Sequence, residues 1–136
     1  MLILCSIILP ILGGALLPFL RPRDRRARQD YVVGVSCTAS VCSLLAAFTQ
    51  VNGGPQILLQ LNDHLSVAFQ VDGMSFVFGV MVSLLWPLAC LYAIEYMSRE
   101  GSENRFFVFY LISFGVTLGI AFSANVLTMY LFYELL

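Results

Sequence analysis

Charge is what this sequence has least of. Only 11% of its 136 residues are charged, against about 25% in ordinary soluble domains, and 60% are hydrophobic. Mean hydropathy is +0.88. It has no lysine, and its one histidine is His64, so no histidine-based metal site can be assembled from this chain. Its single basic cluster lies between two apolar runs without interleaved aromatics, which excludes a nucleic-acid-binding surface. No nucleophile elbow, phosphate loop, dinucleotide fingerprint or redox ligand set is present, so no catalytic chemistry and no cofactor are expected. The four cysteines, Cys5, Cys37, Cys42 and Cys90, form no CxxC pair and fall inside apolar spans, where they read as buried small hydrophobes.

What is there is apolar length. Residues 1–20 carry no charge over one membrane thickness. Arginines follow this run instead of preceding it, which excludes a secretory signal. Five Arg against Asp24 and Asp30 give 21–30 a net charge of 5 − 2 = +3. The positive-inside rule therefore predicts a cytoplasmic loop and an outer N-terminus. Pro10, Gly13, Gly14 and Pro18 predict a bent first helix. A second span is predicted over 31–50, with small residues such as Gly34, Ser36 and Ser40 suited to close helix packing.

Residues 56–71 change period. Ile57, Leu59, Leu61, Leu65, Val67, Phe69 and Val71 alternate with mostly polar neighbours, broken at Asn62-Asp63. That pattern predicts a short β-hairpin with one face against the helix ends. Strands with open edges cannot face lipid, so it is expected on the outer surface. His64, near its turn, reads as a solvated polar residue in preference to a proton relay.

A third span is predicted over 72–97, with Asp72 as N-cap or partner contact and Trp86-Pro87 marking a kink. Glu95 reads as solvated at the boundary or paired with Arg99. A polar loop, 98–105, and a fourth span, 106–122, follow; Gly115, Gly119 and Ser123 form a stripe expected to be a packing seam. The short turn 123–125 predicts that the fifth helix packs antiparallel on the fourth. The fold class is thus an all-α multi-pass membrane protein. It has four full transmembrane helices, the first half of a fifth, and a hairpin-like segment on the outer side between helices 2 and 3.

The fifth helix, 125–136, carries one carboxylate, Glu134, in an otherwise apolar run. At ~1.5 Å per residue, Glu134 would lie ~14 Å from the helix start, near the midplane of a ~30 Å hydrocarbon core. Ionisable groups at that depth are costly and mark ion or proton paths. A run of this length covers only ~18 Å, so the chain is expected to be the front part of a longer protein, or to be joined by a second polypeptide.

From Val71 onward the order of short motifs is specific. Asp72-Gly73 opens the third helix, Tyr96-Met97 closes it, Arg105-Phe106-Phe107 follows, Asn125 begins the fifth helix, and Tyr133-Glu134 lies within it. This order resembles the antiporter-like subunits shared by respiratory complex I, Mrp-type cation/proton antiporters and group 4 membrane-bound hydrogenases. The first 70 residues match that family in architecture only. The resemblance implies that Glu134 pairs with a lysine on a later, interrupted helix and gates proton movement. Asp72, Glu95 and Arg105 are lesser polar candidates. It also implies a cell-membrane location, integral membrane partner subunits, and protons or sodium ions as cargo. Transport would be driven by an oxidoreductase elsewhere, as in an NADH–quinone oxidoreductase, or by an ion gradient, with no catalytic chemistry in this chain. The competing reading is a small multi-pass scaffold in which Glu134 only satisfies a partner.

Overall fold

The computed structural model describes residues 1–20, 24–51, 53–62, 65–99 and 103–136. The expectations attached to Asp63, His64 and the middle of the 98–105 loop lie outside the described residues. Among those described, four helices are long and apolar enough to cross a membrane: α1 (Leu2–Leu20), α2 (Arg25–Gln50), α3 (Gly73–Met97) and α4 (Glu103–Ala121). A fifth, α5 (Val126–Leu135), is shorter. Strands β1 (Gln56–Asn62) and β2 (Leu65–Phe69) form an antiparallel hairpin between α2 and α3.

The apolar pattern underestimates two helices at their polar ends. α2 begins at Arg25, not near residue 31, and α4 begins at Glu103, not at residue 106. Arginine, glutamate and alanine are strong helix formers. Hydropathy therefore finds the membrane-crossing part of a helix and misses its polar extension.

Successive helices alternate in direction, so the bundle has two polar ends. One holds the hairpin, Gln50, Asp72 and Asn125; there the Met1 amine donates to Gln56 Oε1 at 3.2 Å and Gln56 Nε2 donates to Gln50 Oε1 at 2.7 Å. The other holds Arg25, Ser98 and Glu103. Between them lie two buried clusters. One, toward the hairpin, contains Ile7, Phe69, Phe114, Leu118 and Phe122; the other contains Leu17, Val32, Cys90, Phe107 and Leu111.

Glycine decides how closely the helices approach. A Cβ on Gly115 would stand 2.6 Å from the backbone oxygen of Ile7, so α4 lies directly against α1 there. One turn on, Gly119 leaves room for the Phe132 ring of α5. The predicted seam is real, but its two glycines receive two different helices. Lipid gives no hydrophobic drive between helices, so such close contacts are what hold a bundle together.

α1 and α3 run unbroken through their prolines. Pro87 removes the donor that the Ser83 carbonyl would otherwise receive. On the turn this loosens, Tyr110 Oη donates to the Trp86 carbonyl at 2.5 Å, and the Trp86 ring stacks on Phe114 at 5.4 Å.

Two expectations are corrected. The hairpin does not bury one face of both strands: Ile57, Leu58 and Leu59 are all exposed, while Ala68 and Phe69 are both buried. β1 is an edge strand, and register shifts between Ile57 and Leu59 and between Gln60 and Asn62 break its alternation. The cysteines are not uniformly buried: Cys90 is buried and Cys42 half-buried, but Cys5 and Cys37 lie on outward helix faces. Apolar outward faces are normal for helices in lipid.

Candidate functional site

α5 carries one carboxylate, Glu134, in its last turn, and its start is fixed by a dense set of hydrogen bonds. Asn125 is its N-cap: Oδ1 accepts from the Thr128 backbone N–H at 2.9 Å and from the Thr128 hydroxyl at 2.6 Å. The other end of the same amide donates from Nδ2 to the Ser66 carbonyl at 2.5 Å. Thr128 Oγ1 accepts from the Ala68 N–H at 3.0 Å. The backbone joins in: Gln70 N–H donates to the Phe122 carbonyl and Ala124 N–H to the Ala68 carbonyl, each at 2.9 Å. The α4–α5 turn therefore runs beside β2 like a short third strand, bridged at Phe69 and Ser123.

From this anchor α5 runs back antiparallel along α4. Thr128 and Phe132, one turn apart, form its inner face; Thr128 is fully buried, and the Phe132 ring meets Gly119 and lies edge-on to Phe69 at 5.7 Å. Glu134 is two residues beyond Phe132, about 200° around the axis at ~100° per residue. It is exposed, as are Tyr130 and Tyr133. Glu134 therefore faces away from α4.

The other three predicted residues do not converge on Glu134. Asp72 caps α3, accepting from the Ser75 N–H at 2.7 Å, and that bond holds its carboxyl below the usual carboxylate range. Glu95 lies near the far end of α3, ~35 Å along the axis from Asp72. Glu95 and Arg99 line a groove of about 340 Å³ with Tyr92 and Tyr96, but among the described residues they make no ion pair with each other. Glu95 is exposed. Arg105 is exposed in the first turn of α4.

A further polar cluster escaped the sequence reading. Glu103 is 3% exposed and lies between two arginines of α2: Arg28 contacts its Oε2, and Arg25 Nε is 3.1 Å from its Oε1. Arg25 also donates to the Ser98 carbonyl at the end of α3, at 2.7 Å. Glu103 thus joins α4 to α2, and Arg25 ties the pair to the end of α3, at the end opposite the hairpin. The available signal was Arg25 and Arg28 at i, i+3, neighbours on one face once the helix is known to begin at Arg25.

The chain matches the family model described as NADH-ubiquinone oxidoreductase (complex I), chain 5 N-terminus, over residues 59–107. It is also 28% identical over 135 residues to the Na(+)/H(+) antiporter subunit A1 of Staphylococcus aureus, covering 96% of this chain and 17% of that protein. The chain is thus similar to antiporter-like membrane subunits. The corresponding subunit of Staphylococcus haemolyticus is 25% identical over 134 residues, with the same coverage of both chains. The chain thus spans about a sixth of the length of these relatives. The alignments reach nearly end to end, so the likeness extends into the first 70 residues, where motifs alone gave only shared architecture. The family-model match stops at Phe107, ahead of α5 and Glu134.

Proposed function

We propose that this chain forms part of a proton- or cation-translocating antiporter-like subunit of a multi-subunit assembly in the plasma membrane, and that Glu134 is its proton-exchanging carboxylate. The observation that carries this reading is the bearing of α5. An otherwise apolar helix, anchored at one polar end of the bundle, turns its only carboxylate away from α4 and leaves it free for an outside partner. A cation brought close to such a group lowers its proton affinity, and desolvation raises it. Moving the cation therefore switches the carboxylate between holding and releasing a proton. Asp72, Glu95 and Arg105 play lesser parts at the two membrane surfaces. The N-terminus and hairpin face outward and the Arg25 end faces the cytoplasm, in keeping with the arginines at 21–28.

The cargo is a proton or sodium ion, and the driving force comes from an oxidoreductase elsewhere in the assembly or from an ion gradient. In the native assembly, Glu134→Gln abolishes coupled ion transport in membrane vesicles while the assembly still forms. Full transport by that variant overturns the assignment. A variant silent in transport that instead weakens the assembly favours the scaffold reading.

A further inference from the structure

We infer that Asn125 and Thr128 are positioning residues that hold Glu134 in place by bolting the start of α5 to strand β2. The inference rests on the reading of Glu134 given above, and its structural half is tested separately. An N-cap needs only an acceptor, which aspartate or serine supplies as well as asparagine. Here the cap also donates: Nδ2 reaches the Ser66 carbonyl while Oδ1 holds both donors of Thr128. Aspartate would keep the cap and lose the bolt. Thr128 likewise does more than fill a helix position. Its hydroxyl is fully buried and supplies the acceptor for the Ala68 N–H, a β2 donor facing away from β1's ladder. Without that hydroxyl the buried amide has no partner.

This bolt matters because α5 is otherwise held by little. It packs on α4 and β2, and its one deep contact beyond Thr128 is the Phe132 ring at Gly119. Sliding the cap by one residue moves Glu134 by ~1.5 Å along the axis and turns it by ~100°. At a radius of ~5 Å that rotation displaces a surface group by about 8 Å, out of reach of a fixed charge partner.

The test uses the native assembly with spin labels at Leu58 on the hairpin and Tyr130 on α5, both exposed. Electron–electron double resonance reads the distance between them, and dicyclohexylcarbodiimide labelling of Glu134 is followed against pH by peptide mass spectrometry. With Asn125→Asp and with Thr128→Val, the distance is expected to shift or broaden by several ångströms. The pH of half-maximal labelling is expected to move by one unit or more, and Thr128→Ser restores both. An unchanged distance in both variants overturns the bolt, whatever the labelling does. A changed distance with an unchanged labelling profile upholds the bolt and overturns the role given to Glu134.

Discussion

Replacing Glu103 tests whether the clasp between α2, α3 and α4 is structural bedrock or surface decoration. The side chain of Glu103 is 4% exposed, that of Arg28 18%, and that of Arg25 57%. Two unit charges ~4 Å apart attract by about 4 kcal/mol at an effective dielectric constant of ~20. Removing one member of a buried pair strands the other and costs about 3–5 kcal/mol. Glu103→Gln keeps the shape and an acceptor for Arg28, so a loss of about 3 kcal/mol is expected. Arg25 is largely solvated, and such pairs contribute at most about 1 kcal/mol. Arg25→Met should therefore cost far less than Glu103→Gln.

The assay is titration of the purified protein in micelles with sodium dodecyl sulfate, followed by far-ultraviolet circular dichroism. A double-mutant cycle with Glu103→Leu and Arg28→Leu isolates the pair, because contacting residues depart from additivity while independent ones do not. A coupling of about 2 kcal/mol or more is expected, the double variant being little worse than either single one. If the single losses simply add, or if Arg25→Met costs as much as Glu103→Gln, the burial argument fails.

Gly115→Ala should destabilise by about 1–3 kcal/mol in the same titration. Its methyl group would meet a backbone carbonyl that cannot rotate away, outweighing the ~1 kcal/mol that alanine gains in helix propensity. Gly34→Ala, with open space around the added methyl, should be neutral or stabilising. Tyr110→Phe removes the donor to the Trp86 carbonyl beside Pro87 and should cost about 1 kcal/mol. Asp72→Ala should cost about 1 kcal/mol at neutral pH as a lost cap, whereas Asp72→Asn should be nearly neutral. The Asp72 carboxyl is held below 3.8 in the folded chain, so the unfolded chain takes up this proton first as pH falls. Its stabilisation is therefore present above about pH 4 and lost below it. Asp72→Asn should flatten that part of an acid titration followed by circular dichroism.

The membrane spans were legible because twenty apolar residues have few other uses, and the hairpin because its period changes from that of a helix to two. The capping role of Asp72 and the antiparallel return of α5 were legible for equally local reasons. What stayed hidden was pairing across the sequence. Glu103 looks like one of four charges in a polar loop, and nothing within 98–105 says that its partners are Arg28, 75 residues earlier, and Arg25, one turn before Arg28. Asn125 reads as an ordinary cap until Ser66 is seen beside it. The parity of β1 misled because an edge strand with register shifts has no partner face to enforce alternation.

The distribution of polar groups bears on how a proton could reach Glu134. Within the spans, hydroxyls largely satisfy themselves: Thr38, Ser83 and Thr117 each donate to the carbonyl four residues earlier on their own helix. Three buried hydroxyls do not, Ser36, Ser40 and Ser43, but they belong to α2, whereas α5 packs on α4 and β2. The two dense polar clusters, around Asn125 and around Glu103, sit at opposite ends of the bundle and act as clamps. Between them the inner face of α5 offers only Thr128, whose hydroxyl already donates to Asn125 and accepts from Ala68. Among the described residues no chain of free donors and acceptors leads through these five helices to Glu134. If Glu134 exchanges protons as proposed, the proton reaches it from the side that α5 turns away from α4, and these helices act as its mount. Hydroxyl-to-apolar substitutions in α3 and α4, Ser83→Ala and Thr117→Val, should then leave the rate of transport by the native assembly within about twofold. A tenfold loss in either would show that a path does run through this bundle.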